Sequence, residues 1–249
     1  MHDVHELGEE MPSRQVIDAG RQMMADFSRF IANYQFAVEE VLTKVSVLRG
    51  EFLQMHQYNP IEHVSSRVKS AESVMAKVVR SGCEPTLQGI RASIRDIAGV
   101  RITCSFIADT YAMFDALTSQ DDVRVLQVKD YIKTPKPSGY KSLHAIVEIP
   151  VFLSTGPVFV PVEIQFRTVA MDFWASLEHK LRYKHGGVVP DPMSDELHDI
   201  AEATANLDQR MATMHEDVMQ RGDGAPHGPE TVDEGVLRAF WASYRAAAS

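Results

Sequence analysis

The stretch Val158-Phe159-Val160-Pro161-Val162-Glu163-Ile164-Gln165-Phe166-Arg167 constrains this 249-residue chain more than any other. Successive side chains of a strand face opposite sides. Val160, Val162, Ile164 and Phe166 therefore share an apolar face, while Glu163, Gln165 and Arg167 share a polar one. A strand of this kind must form part of a sheet with one covered face and one free to carry chemistry. A carboxylate, an amide and a guanidinium in a row suit a cation, a base edge or ribose, and a phosphate. They suit a plain solvated face equally well, so the neighbouring segments have to decide.

Helical spacing follows at once in 169–184 and again in 194–220. Residues 14–56 carry apolar groups at the same spacing, predicting one long helix or two, which Asn59-Pro60 ends. A short helical turn is expected at 61–66. Ser70 then reads as the N-cap of a helix whose apolar face is Ala71, Val74, Met75, Val78 and Val79, with Ser73, Lys77 and Arg80 on a separate polar stripe. Strands are expected at 100–106, 123–129 and 144–150, a helix at 109–119, and a hairpin turn over Pro150–Pro157 leading into the opening strand. Lys133 to Tyr140 is a Pro/Gly-punctuated loop. Together these predict an α+β fold, a mixed and mostly antiparallel sheet of about four to five strands flanked by helices.

The expected organisation is a flexible N-terminus (1–13), a helical region (14–58), a catalytic core (59–185) and a C-terminal helical region (186–249). In the last, 222–229 is flexible and 232–247 a short helix. Two cysteines, Cys83 and Cys104, give neither a disulfide framework nor metal-ligand spacing. No apolar run is long enough for a membrane span, and a cytoplasmic protein is expected. The net charge of −9 argues against a general nucleic-acid binder. Residues 67–141 nevertheless hold 12 Lys/Arg against 8 Asp/Glu, a local +4 in a chain otherwise at −13. A basic segment in an acidic chain points to a confined anionic ligand such as a nucleotide.

Four segments carry a resemblance: Arg67-Val68-Lys69 with the helix after it; Asp96-Ile97-Ala98-Gly99-Val100-Arg101-Ile102; Lys129-Asp130-Tyr131-Ile132 through Gly139-Tyr140-Lys141-Ser142-Leu143-His144; and Val162-Glu163-Ile164-Gln165. In this order they resemble the synthetase domain of the RelA/SpoT-homology family, specifically its small single-domain alarmone synthetases, over about residues 60–185. The resemblance implies a nucleotidyltransferase-like synthetase fold. It also implies transfer of pyrophosphate from ATP to the 3′-hydroxyl of GTP or GDP, with Mg²⁺ as cofactor and AMP and guanosine penta- or tetraphosphate as products.

Carried over residue by residue, the resemblance makes Asp96 a metal ligand, and Glu163 a metal ligand or the group that activates the 3′-hydroxyl. Arg67, Lys69, Ser73, Lys77, Arg80 and Arg101 fall at or beside donor-nucleotide positions. Tyr140 is the residue whose ring stacks on guanine, and the preceding Gly139 would let backbone approach the ligand. Lys129, Lys141 and His144 reach acceptor phosphates, Gln165 and Arg167 orient the acceptor, and the Asp172 carboxylate could accept both donors of guanine's Watson–Crick edge. Lys129-Asp130, where some relatives have two acidic residues, suggests a single metal, although Gln127 stands where many relatives of the Lys-Asp type have Arg.

Trp174, Leu177 and Leu181 read as core, and Glu178-His179 as structural. Fewer than about 70 residues precede the synthetase, too few for the hydrolase domain of longer relatives. Neither hydrolase activity nor a ribosome-sensing domain is therefore expected. The resemblance also implies a homo-oligomer, a tetramer in small relatives, with an alarmone or single-stranded RNA as a regulator. Two other readings stand beside it. One is a catalytically silent nucleotide- or RNA-responsive binding protein of the same fold. The other is an enzyme transferring a nucleoside monophosphate, which lacks its expected acidic pair after Gly-Ser.

Overall fold

The computed structural model describes residues 14–55, 58–184, 190–221 and 234–247. The segments 1–13 and 222–229, expected to be flexible, lie outside these. The element order is α1 (Arg14–Met55), β1 (Ile61–Val68), α2 (Ala71–Ser81), α3 (Leu87–Ser93), β2 (Ala98–Cys104), α4 (Ile107–Thr118), β3 (Arg124–Asp130), β4 (Leu143–Leu153), β5 (Gly156–Thr168), α5 (Val169–Lys184), α6 (Asp191–Arg221) and α7 (Glu234–Ala247). Five strands form one sheet in the order β1-β2-β5-β4-β3. Only β2 and β5 run parallel; the other neighbours are antiparallel.

The alternation in β5 sets the layers. Val160, Val162, Ile164 and Phe166 are fully buried on one face. That face is covered by α1, a single helix, through Phe30, Tyr34, Ala37, Val38, Val41, Val45 and Leu48, and by Met113 and Leu117 of α4. The Phe114 ring meets Phe166 edge-on at 5.9 Å, a geometry aromatic quadrupoles favour.

Two local expectations are corrected. Residues 61–66 are strand, not helix: β1 pairs antiparallel with β2 from Ile61↔Cys104 to Val68↔Ala98. Its apolar residues are too few for a period to show, and the open edge of β2 decides its conformation. The β4–β5 turn is Ser154-Thr155 alone, with Leu153 opposite Gly156 and both Pro150 and Pro157 inside the ladder. Beyond Glu148 and Val162 the hairpin has no outer neighbours, so a proline lacking its N–H is tolerated there.

Helix α2 begins as expected, with the Ser70 hydroxyl accepting from the Ser73 N–H. Only Val74 and Val78 of its apolar face are buried, and Val79 is 84% exposed. Trp174 is buried, its indole N–H donating to the Leu197 carbonyl at 3.0 Å, whereas Leu177 is exposed. Among the described residues no helix is long and apolar enough to cross a membrane.

Candidate active site

The uncovered sheet face collects polar side chains from all five strands. Cross-strand registers put Arg67, Gly99, Glu163, Ile146 and Gln127 in one row. The next holds Ser65, Arg101, Gln165, His144 and Lys129. Glu163 and Gln165 thus stand mid-sheet, with arginines toward β1 and lysine and histidine toward β3. Gly99 keeps the floor low between Arg67 and Glu163; a Cβ there would meet the Arg67 side chain at 3.6 Å.

Two recesses flank this centre. One, of about 60 Å³, is lined by Ser65, Arg67, Gly99, Arg101 and Gln165. The other, of about 180 Å³, is lined by Gln127, Lys129, Tyr131, Lys136, His144 and Glu163. Both are rich in fixed cations, as a phosphate-bearing ligand requires.

Glu163 is held at both oxygens. Gln165 Nε2 donates to its Oε2 at 2.9 Å, and His144 Nδ1 lies 3.4 Å from its Oε1. Burial works to raise its pKa, but His144 and Gln165 outweigh this and hold the carboxyl below the ordinary glutamate value, with Asp96 opposing them. Asp96, on the loop before β2, is gripped by two lysines. Lys77 Nζ reaches Oδ1 at 2.6 Å and Lys69 Nζ reaches Oδ2 at 3.0 Å. Burial again opposes, and the lysines prevail, keeping Asp96 ionised well into acid. A carboxylate so stabilised is a good ligand and hydrogen-bond acceptor but a weak proton acceptor.

A second network centres on Arg167, which is 5% exposed. Its Nη2 donates to Tyr140 Oη at 2.7 Å and to Gln165 Oε1 at 2.9 Å, and its Nη1 donates to Asp172 Oδ1 at 3.0 Å. The same Asp172 oxygen is 3.0 Å from Arg101 Nη1. Tyr140 Oη lies 2.7 Å from His144 Nε2. With the Nδ1–H tautomer, donors run one way, from Arg167 through Tyr140 and His144 to Glu163. The Tyr140 ring also has Lys136 Nζ 4.6 Å and Arg167 Cζ 5.2 Å from its centroid.

Most residues singled out from the sequence therefore come together: Arg67, Lys69, Lys77, Asp96, Arg101, Lys129, Tyr140, His144, Glu163, Gln165, Arg167 and Asp172. Three do not. The Ser73 hydroxyl accepts from Ser70 Oγ within its own helix start, and Arg80 is exposed at the far end of α2. Lys141 is turned toward α6, where it lines a small gap with Trp174, Ala201 and Asp208. Gly139 has a structural reason beside the one expected. At φ +85° it packs on α6, and a Cβ there would fall 2.4 Å from Ala201 Cβ. Helix contact alone is enough to require the glycine. Asp130 is also structural: it takes the Tyr111 hydroxyl and the N–H groups of Ile132 and Lys133.

Sequence reading missed Lys136 and Tyr131. Lys136 Nζ lies 4.7 Å from the Tyr131 ring and 4.6 Å from the Tyr140 ring, and its backbone closes the loop through Gly139 N–H to Lys136 O at 2.8 Å. The only signal was a lysine flanked by two prolines in the loop that ends in Tyr140.

Among the described residues no three His, Cys, Asp or Glu side chains form a self-sufficient metal cage. Mg²⁺ rarely uses one, binding through one or two carboxylates and substrate phosphates. Asp96 and Glu163 fit that pattern, since each is ionised and Asp96 acts electrostatically on Glu163. The two lysine ammoniums on Asp96 already show where positive charge is stabilised.

An α+β sheet with a cation-lined polar face, two ionised carboxylates and two recesses is the kind of site an enzyme acting on phosphate-bearing ligands requires. The chain matches the family described as "Region found in RelA / SpoT proteins" over residues 66–188. It is 47% identical over 202 residues to GTP pyrophosphokinase YwaC of Bacillus subtilis (strain 168), covering 81% of this chain and 96% of that protein. The chain belongs to the RelA/SpoT family. Its fold matches the crystal structure of small alarmone synthetase 2 from B. subtilis with a TM-score of 0.71 and 47% identity, over 78% of this chain and 100% of that one. Small alarmone synthetase 1 from the same organism, bound to its product pppGpp, matches with a TM-score of 0.71 and 37% identity, over 78% and 98%. The same enzyme bound to AMPCPP matches at 0.66 with 33% identity, also over 78% and 98%.

Proposed function

We propose that the chain is a GTP/GDP pyrophosphokinase that transfers the β,γ-pyrophosphoryl group of ATP to the 3′-oxygen of GTP or GDP. The bond from the α,β-bridging oxygen to the β-phosphorus breaks, a bond from O3′ to that phosphorus forms, AMP leaves, and the 3′-hydroxyl proton passes to solvent. One observation carries this reading: the ionised Glu163 stands between an arginine-lined recess and one lined by Lys129, Lys136, Tyr131 and His144.

Arg67 and Arg101 bind the donor phosphates, with Lys69 and Lys77 adding charge as ATP arrives. Lys129, Lys136 and His144 face the acceptor phosphates, and Tyr140 offers its ring to guanine. Arg167 and Gln165 fix the acceptor side, and Glu163 orients the 3′-hydroxyl. Asp96 and Glu163 would hold Mg²⁺, which when bound offsets charge on the transferred group. Two free thiols, Cys83 and Cys104, agree with a cytoplasmic setting.

The test is a nucleotide assay with ATP, GTP and Mg²⁺ resolved by anion exchange, beside Glu163→Gln. Equimolar AMP and guanosine pentaphosphate, lost by at least about a hundredfold in the variant, is the expected result. Bound GTP without any product would favour the silent binding protein instead.

A further inference from the structure

Helix α6 turns one stripe inward, through Leu197, Ala201, Asp208 and Ala212, all buried. Steps of four, seven and four residues keep them on a single helix face. Three are small or apolar, but Asp208 is a carboxylate only 6% exposed. A buried carboxylate costs stability unless it is paired, and an apolar residue in its place would pack without that cost. Burial pushes the Asp208 pKa up, while the Thr168 hydroxyl and the Lys141 charge oppose it.

Those two partners lie directly behind the acceptor side of the site. The Thr168 hydroxyl donates to Asp208 Oδ2 at 2.6 Å and accepts from the Met171 N–H at 3.1 Å, capping α5. Thr168 follows Arg167 on β5, and strand alternation turns Arg167 to the site and Thr168 away from it. Lys141 follows Tyr140 and lines one small gap with Asp208. The rest of that loop is seated on the same helix, Gly139 against Ala201 and Tyr140 against the cluster of Trp174, Leu197 and Ala201. Each partner of Asp208 is thus the chain neighbour of one member of the Arg167–Tyr140 hydrogen bond. The donor lysines are held elsewhere, Lys69 and Lys77 by Asp96.

We propose that Asp208 is a positioning residue for the acceptor nucleotide, given the acceptor role proposed above for Tyr140 and Arg167. It acts through Thr168 and Lys141, holding from behind the two segments that present Arg167 and Tyr140 to the ligand. Asparagine at 208 would keep an oxygen for the Thr168 hydroxyl, and with it the cap of α5, while removing the charge that faces Lys141.

The test is steady-state kinetics of the full chain with ATP, GTP and Mg²⁺, beside equilibrium dialysis of GTP without ATP. Circular dichroism confirms that each variant is folded. Asp208→Asn should raise both the KM and the Kd for GTP about tenfold, with kcat and the KM for ATP within about twofold of the unaltered chain. Lys141→Met should do the same by itself, and the two changes together should cost no more than either alone, because they remove one interaction. A loss of packing alone would lower the melting temperature without separating GTP from ATP. Folded variants with unchanged GTP affinity would overturn the proposal. So would KM values for GTP and ATP that rise together, or a double variant weakened about a hundredfold. A chain that binds GTP but forms no product defeats the transferase reading alone, and dialysis of the variants then still decides the role of Asp208. A chain that binds no GTP defeats both.

Discussion

Replacing Asp172 by Asn tests how the two halves of the site are held together. Its Oδ1 lies 3.0 Å from both Arg101 and Arg167. Burial lowers the Arg101 pKa most, the Arg167 charge lowers it further, and Asp172 opposes both. Asparagine keeps the shape and one acceptor but removes the charge that reconciles the two guanidiniums. Stripping one partner from a fully buried ion pair costs about 3–5 kcal/mol. Here the side chains of Asp172 and Arg101 are 25% and 33% exposed, so screening reduces the expected loss to about 2 kcal/mol. Urea unfolding followed at 222 nm should show that loss with an unchanged m-value, and thermal unfolding a fall of about 4–8 °C. The KM for GTP should rise, because Arg167 also holds Tyr140 and Gln165. If stability changes by less than about 0.5 kcal/mol while the preference for GTP over ATP as acceptor collapses, the reasoning fails. Asp172 would then be a reader of guanine, as its position in the sequence first implied.

Gly139→Ala should destabilise by about 3 kcal/mol, combining a positive φ with a collision against Ala201. Adding Ala201→Gly should recover the collision part alone, which chemical denaturation of both variants would show. The acid limb is set by depressed carboxylates. Asp96 and Glu163 titrate below their ordinary values of 3.8 and 4.5 in the folded chain. The stability they contribute is full above those values and is lost as pH falls through the lower folded ones. Lys77→Met should therefore reduce stability by a constant amount between about pH 5 and 8, and that deficit should shrink below about pH 4. A deficit that persists undiminished at pH 3 would mean Lys77 acts through packing and not through Asp96.

The sequence by itself determined the parts of this protein whose physics is local or periodic. The two faces of β5 follow from alternation, α1 from its apolar spacing, the start of α2 from Ser70, and the charged face from Glu163, Gln165 and Arg167 occupying every second position. Each is a property of a few consecutive residues, so no partner had to be known. What needed a partner was invisible. Residues 61–68 have too little apolar pattern to declare a strand, and become one because the edge of β2 offers hydrogen bonds.

Lys141 follows Tyr140 yet leaves the site, while Lys136 in the same loop joins it, because contact with α6 fixes which way the loop turns. Asp172 stands in the first turn of α5, and only tertiary placement shows its one oxygen shared by arginines from two strands. Periodicity chooses the face a side chain takes. The packing of elements distant in sequence chooses its neighbours, and in this site those neighbours hold Asp96 and Glu163 below their ordinary carboxylate values.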